Sequence, residues 1–224
     1  MDKRLLTCAG LCKGRKIADI GTDHGYLPCY MIKEGLCDSA YACDVAEKPL
    51  ESAGKHIREQ GLQDKITTIL SDGLEKVSPE GITDIVIAGM GGELIAEILR
   101  KCTWIKDSSI NFVLQPMTKW DVLRKWLYDN LFEITEEKAV SEGKFVYSVM
   151  SATFTGKQPP YECDLEYLYC GKVSPDYDDG TLYLERQAKR LIAVGNGLLR
   201  NPEKKENGER MLALAKEINK KLLL

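Results

Sequence analysis

The sequence predicts an α/β fold: a doubly wound, mostly parallel seven-stranded sheet followed by a C-terminal α-helical hairpin. Three observations carry this expectation. Five short apolar runs alternate with amphipathic helical stretches, the pattern of a parallel sheet with helices on both faces. Two longer alternating runs then follow with no helix between them, so they form an antiparallel pair at one edge. Beyond Gly156 the strand pattern stops and heptad-spaced apolar residues take over.

In chain order, an amphipathic helix is predicted at about 3–12. Lys16-Ile17-Ala18-Asp19-Ile20 is a buried strand ending at Gly21, and a helix over about 25–35 is closed by Gly35. Ala40-Tyr41-Ala42-Cys43 is a second strand ended by Asp44, and a helix over about 47–60 stops at Gly61. The stretch at about 66–70 alternates like a strand, and Ile85-Val86-Ile87-Ala88 is a fourth that runs into Gly89. A helix at about 92–101 precedes Ile110-Asn111-Phe112-Val113-Leu114, and another spans about 119–129. The edge pair lies near 131–140 and 144–154, joined around Glu142-Gly143. Seven strands in this arrangement make the Rossmann-like sheet of class I methyltransferases. Its ligand sits outside the carboxyl ends of the first and fourth strands, where the strand order reverses.

The chain divides into a body at 1–156 and a C-terminal part at 157–224. Gln158-Pro159-Pro160 breaks the sheet region, and 171–180 reads as a loop. Leu184, Ala188, Leu191, Gly195 and Leu198 then recur at heptad spacing, as do Met211, Ala215, Ile218 and Leu222. Asn201-Pro202 separates the two helices, at about 181–200 and 203–222, and the small Ala188 and Gly195 permit close approach. A helix lying flat on the sheet is the alternative.

The charge follows the same division. The 224 residues carry 31 Lys+Arg and 34 Asp+Glu, a net −3 that at face value argues against a nucleic-acid partner. Yet ten of those cations and only four glutamates fall between Arg186 and Lys221, giving +6 there and −9 elsewhere. An acidic body with a basic appendage is expected, unless the cations merely solvate a helix face. No apolar run reaches the ~18 residues of a membrane span, and the N-terminus lacks the apolar stretch of a signal peptide. The eight cysteines include no C-x-x-C pair and sit mostly in apolar segments, so they read as reduced, buried thiols of a cytoplasmic protein without a metal site. Nothing in the sequence demands more than a monomer.

The first strand–helix turn reads Asp19-Ile20-Gly21-Thr22-Asp23-His24-Gly25-Tyr26-Leu27-Pro28. Its glycines fit D-x-G-x-x-x-G and not the G-x-G-x-x-G of a dinucleotide pyrophosphate site. Gly21 lets the backbone turn sharply toward a ligand, and Gly25 lets the next helix start close by. The Asp19 carboxylate suits a cationic amino group such as that of S-adenosylmethionine. Asp44 can accept ribose hydroxyls, or can simply cap a helix. Asp72, before Gly73, can meet an adenine amine. The fourth strand ends Ala88-Gly89-Met90-Gly91-Gly92. It lacks the D/N-P-P-Y/F of amino-methylating enzymes, and its glycines leave an open floor for a flat ring unless they only let a helix pack closely.

Three strings, Ile20 to Pro28, Ile87 to Gly92 and Val113-Leu114-Gln115-Pro116, together with the opening Lys3-Arg4-Leu5 helix, resemble the bacterial tRNA methyltransferases that act on N1 of adenine 22. The resemblance is specific over about 1–155. Over 181–222 only architecture and charge match. Family members often carry Ala where this chain has Gly25, and both residues are small. The resemblance implies S-adenosylmethionine as cofactor, held by Asp19, Gly21, Thr22, Gly25, Asp44, Asp72, Gly73, Ala88 and Gly89, and tRNA as partner, helped by the helical hairpin.

Adenine N1 has an in-plane lone pair and can attack a sulfonium methyl without first losing a proton. The product ring is a cation, so a nearby carboxylate stabilises it. Asp23 is the first candidate for that task, His24 an orienter or proton acceptor and Tyr26 a stacking surface; helix capping and packing are their structural alternatives. Met90, Gly91, Gly92, Gln115 and Pro116 are expected around the target base. Lys3, Arg4, Arg190, Lys204, Lys205 and Arg210 are expected on phosphates, where they position RNA without reading it. His56 is expected on a solvent face, without a role. Two rival classes remain open: a small-molecule methyltransferase of the same fold, and a non-catalytic RNA-binding module.

Overall fold

The structure, a computed structural model, describes residues 1–223; Leu224, the last residue of the C-terminal part delimited above, lies outside the described residues. Seven strands form one sheet in the order β3-β2-β1-β4-β5-β7-β6. They are β1 (Lys16–Ile20), β2 (Ser39–Asp44), β3 (Ile66–Leu70), β4 (Asp84–Gly91), β5 (Asn111–Thr118), β6 (Phe132–Glu142) and β7 (Phe145–Phe154). The first five are mutually parallel, and β7 runs antiparallel to both β5 and β6. The predicted α/β methyltransferase-type sheet is therefore present, and its order reverses between β1 and β4.

The helices interleaved with the strands are α1 (Lys3–Leu11), α2 (Tyr26–Lys33), α3 (Glu47–Glu59), α4 (Gly92–Lys101) and α5 (Trp120–Asp129). Strands covered on both faces should be apolar throughout. In β4, Ile85 and Ile87 enter the core cluster under α4 and α5, while Val86 between them enters the cluster with α2 and α3. Both faces of the sheet are thus packed. Asp84, at the amino end of β4, is fully buried. It accepts hydrogen bonds of 2.8 Å from the backbone N–H of Lys13 and Gly14 and from Asn111 Nδ2. Three donors compensate its desolvation and fix the α1–β1 connection to the sheet.

Beyond the sheet lie α6 (Leu165–Cys170), α7 (Asp178–Leu198), a 3₁₀ turn (Pro202–Lys204) and α8 (Lys205–Lys221). Helices α7 and α8 pack as the expected hairpin. Gly195 and Gly208 face each other so closely that a Cβ on either would lie 3.0 or 2.9 Å from the other's carbonyl oxygen. The heptad reading found Gly195 and not its partner Gly208. The strands β4 and β5 run past their expected ends, and the C-terminal part departs from expectation at α6 and at the start of α7. Helix α6 lies in the stretch between the proline break and the expected loop, where Asp164 caps it by accepting from the Tyr167 N–H at 2.8 Å. Helix α7 begins earlier than expected because its first turn is fastened to β6. The Ala139 N–H donates to the Tyr177 hydroxyl at 2.6 Å, and the Ser141 N–H to Asp179 at 3.0 Å. These bonds cover part of an otherwise open sheet edge.

The hairpin and the body share a buried polar joint. Arg124 on α5 has no exposed surface. Its Nη2 donates to Glu137 Oε1 of β6 at 2.6 Å and to the Tyr183 hydroxyl of α7 at 2.9 Å, while Nη1 donates to the Leu168 carbonyl of α6 at 2.7 Å. Glu137 Oε2 accepts from the Lys172 N–H at 2.9 Å. Among the described residues, no helix is long and apolar enough to cross a membrane.

Candidate active site

A cleft of about 240 Å³ opens at the carboxyl ends of β1 and β4, where the strand order reverses. Asp2, Arg4, Asp19, Gly21, Thr22, Asp23, Tyr26 and Ala88 line it. Asp19 is 5% exposed. Burial pushes its carboxyl up to about 6; the nearby Asp44 adds to the rise, while the Thr22 hydrogen bond and the Arg4 charge oppose it. Thr22 Oγ1 donates to Asp19 Oδ2 at 2.6 Å. A buried carboxylate with a single side-chain hydrogen bond, facing a cleft, is suited to a cation.

The turn after β1 is held by backbone bonds from Gly21 and Thr22 to the Cys43 carbonyl, at 2.8 and 2.9 Å. Gly21 adopts φ +77° and Asp23 φ +52°. The left-handed region is costly for a residue with a Cβ, so Asp23 is kept there by the rest of the turn, as strained residues at functional sites often are. Its carboxylate is exposed and lies 3.5 Å from His24 Nε2. Gly25, at φ +68°, opens α2. Tyr26 is 49% exposed, with its ring centroid 5.3 Å from His24 and 5.1 Å, edge-on, from His56. His56 therefore props Tyr26 and does not merely face solvent. Its place beside the buried Ala53 and Ile57 of α3 is the signal that could have shown this.

Asp44, at the end of β2, accepts from the Ala46 N–H at 2.9 Å and the Asp23 N–H at 3.4 Å. Two carboxylate oxygens have about four acceptor sites, so capacity remains for hydroxyl donors. Asp72 follows β3 and pairs with Lys101 at 3.3 Å on the surface, while Gly73 packs against Ile98. Neither lines the cleft. The three carboxylates nonetheless stand at or just past the ends of three neighbouring strands, β1, β2 and β3.

The end of β4 corrects three expectations. First, there is no open glycine floor at Gly91-Gly92. A Cβ on Gly92 would lie 2.2 Å from the Lys119 carbonyl oxygen, and one on Gly91 3.4 Å from Thr118 Oγ1, so α4 starts hard against the β5–α5 turn. Met90 does not line the cleft and packs against the first turn, its methyl 2.3 Å from where a Gly21 Cβ would be. Second, Gln115 is fully buried and internally bonded. Its Oε1 accepts from the Gly89 N–H at 3.0 Å and from Arg4 Nη1 at 2.9 Å. The first bond satisfies an N–H freed by the bulge at Gly89, where φ is +81° and the β4–β5 register shifts. Third, Arg4 is held inside the cleft by Gln115 and by Asp2 at 3.2 Å, with its side chain only 18% exposed. It positions the cleft wall and does not stand free for a phosphate. Asp2, which also caps α1 by accepting from the Leu5 N–H at 2.8 Å, went unnoticed in the sequence although Asp before a helix is a start signal.

Of the remaining candidates, Lys3 is exposed on α1, and Lys204, Lys205 and Arg210 are exposed around the tip of the hairpin. Lys205 lies 3.8 Å from Glu209. Pro116 and Arg190 line a different cleft, with the Arg190 guanidinium 4.4 Å above the Trp120 ring centroid.

The family model for a methyltransferase domain matches residues 1–150. The chain is 33% identical over 163 residues to the tRNA (adenine(22)-N(1))-methyltransferase of Bacillus subtilis (strain 168), covering 72% of this chain and 68% of that one. Among solved structures, M. capricolum TrmK in complex with S-adenosyl-homocysteine is 30% identical with a TM-score of 0.79, over 99% of this chain and 97% of that one. The Streptococcus pneumoniae protein Sp1610, a putative tRNA (m1A22) methyltransferase in complex with S-adenosyl-L-methionine, is 29% identical with a TM-score of 0.80, over 97% and 99%. The likeness to these structures includes the hairpin.

Proposed function

The chain belongs to the tRNA (adenine(22)-N(1))-methyltransferase family, and from that membership we propose that it methylates N1 of adenine 22 in tRNA with S-adenosylmethionine. The observation that carries the proposal is the cleft at the β1–β4 reversal, with its buried cation-seeking Asp19, its exposed Asp23 and Tyr26, and His24 beside them. When bound, S-adenosylmethionine supplies an electrophilic methyl group. Asp19 binds the amino group, Asp44 the ribose hydroxyls, and Gly21 and Ala88 allow close backbone approach. Asp72 keeps acceptor capacity for the adenine amine beside its surface pair with Lys101.

Tyr26 offers the target base a stacking surface, steadied by His56. Asp23 lies where a carboxylate can stabilise the positive charge that develops on the ring as N1 is alkylated. His24, paired with Asp23, orients that carboxylate. No proton need leave N1 before attack, so most of the rate is expected from holding the base and the methyl in line. The target must leave its stack to reach the cleft. The basic hairpin of α7 and α8, within the C-terminal part at 157–224, serves as a phosphate-binding arm in the cytoplasm.

Incubation with labelled S-adenosylmethionine and unmodified tRNA, followed by nucleoside mapping, tests the reading. Label in 1-methyladenosine at position 22 is expected, and label on any other nucleoside refutes the substrate. Asp23→Ala is expected to lower kcat roughly a hundredfold, within the range of a lost electrostatic group, while cofactor affinity measured by calorimetry is retained. Lost affinity with retained kcat would make Asp23 a cofactor ligand.

A further inference from the structure

A second cleft, of about 330 Å³, lies between β7, the start of α5 and α7. Among the described residues it shares no lining residue with the first cleft, so neither Asp19 nor Asp23 faces it. Consecutive residues of β5 nevertheless support both, although the buried Gln115 lines neither. Gln115 holds Arg4 in the wall of the first, and Pro116 lines the second.

Its walls combine aromatic faces, cations and an unsatisfied amide. Phe145 is 51% exposed, and its ring centroid lies 6.1 Å from that of Tyr147 with a tilt of 32°. Arg190 lies over Trp120, and Arg186 Nη2 donates to the Lys144 carbonyl at 2.6 Å beside Phe145. Gln187 is 4% exposed, and its Oε1 has no hydrogen-bond partner among the described residues; neither has Trp120 Nε1. Native interiors rarely leave such groups unpaired, and those that remain point to a partner.

We propose that this cleft receives a second base of the tRNA, a direct neighbour of the target adenine. The inference rests on the tRNA reading above. Aromatic faces accept any base by stacking, and Phe145 and Tyr147 supply them. A primary amide carries a donor beside an acceptor, which matches the edge of a nucleobase, and the Trp120 indole adds a donor. Arg186 and Arg190 flank the cleft where the phosphates of an entering strand would pass. The volume suits one nucleoside, being at the small end of the ~300–1,000 Å³ range of ligand sites. Because one residue of β5 holds the Arg4 wall of the first cleft and the next lines the second, the bases they hold are close neighbours in the RNA.

The test uses the full chain and unmodified tRNA. Phe145→Ala removes an exposed ring without opening the core, and Gln187→Met keeps the shape but removes the amide. Both variants should bind tRNA more weakly, roughly five- to a hundredfold for a lost stacking partner, while binding S-adenosylmethionine as before. A tRNA made abasic at each neighbour of the target in turn should reproduce the loss at one of them, and Phe145→Ala should lose nothing further on that tRNA. Unchanged tRNA binding by the folded Phe145→Ala and Gln187→Met proteins overturns the subsite, as does a loss that adds fully to that of both abasic tRNAs. Because binding is read without turnover, a wild-type protein that binds tRNA through this cleft but methylates no adenine refutes the proposed function and leaves the subsite standing.

Discussion

Asp19 shows how a single residue couples burial to binding. Its carboxyl is pushed up to about 6 in the free protein, from an ordinary value of 3.8. Between those values the folded chain retains a proton that the unfolded chain has released. Its contribution to stability therefore falls as pH rises through that window and is constant above it. Binding of an ammonium group has the opposite dependence, because it needs the carboxylate. Cofactor affinity followed by calorimetry should rise as pH increases through about 6, with roughly tenfold lost per unit below it. In Asp19→Asn affinity should be weak and flat over the same window; a persistent pH dependence in that variant would assign the titration elsewhere. The type of Asp19 and its place after a strand were readable in the sequence. Its perturbation was not, because it comes from the closing of the sheet around it. The same holds for Arg4, whose cationic side chain suggested a phosphate until its bond to Gln115, far away in sequence, was seen.

At the level of elements, periodicity located every strand and all the helices of the body: two-sided burial leaves the inner β1, β4 and β5 as apolar runs, while the more exposed β3 and β6 are legible by alternation. Helix α6 escaped because its six residues are too few to show a period, although its Asp164 cap was there to read. The Gly89–Gly92 turn was recognised and misread. Glycine next to a presumed site suggests room for a ligand, yet Gly92 is needed for the approach of the Lys119 backbone. Gly92→Ala should therefore destabilise the protein by about 1–3 kcal/mol in urea unfolding, as overpacking does. Gly10, in α1, has nothing within 4 Å of an added Cβ. Gly10→Ala should stabilise by about 0.5–1 kcal/mol, since it only restricts the unfolded chain. Equal effects at the two sites would show that local propensity, not packing, governs both.

For the whole molecule, the division of charge was legible while the joint between its halves was not. The +6 stretch maps onto α7, α8 and the turn between them. Replacing Lys204, Lys205, Arg210 and Lys216 by Gln should weaken tRNA binding and flatten its salt dependence, by roughly one unit of log–log slope for each phosphate no longer neutralised. Cofactor binding should not change. An unaltered slope would remove the hairpin from the RNA interface. The sequence allowed a detached arm, since prolines and a loop separate the parts. Nothing local in Arg124 or Glu137 announces that they meet Tyr183 in the interior; 59 residues separate Arg124 from that hydroxyl.

That buried joint has a consequence for how a target is chosen. Breaking it would strand a charge in the interior, at a cost of about 3–5 kcal/mol, so the hairpin has no inexpensive way to swing. The span between its cationic tip and the β1–β4 cleft is then a fixed length. A fixed length works as a ruler. If the hairpin grips the tRNA backbone as proposed above, the adenine that reaches the cleft would be selected by its distance from the point of grip, and its identity checked only on arrival.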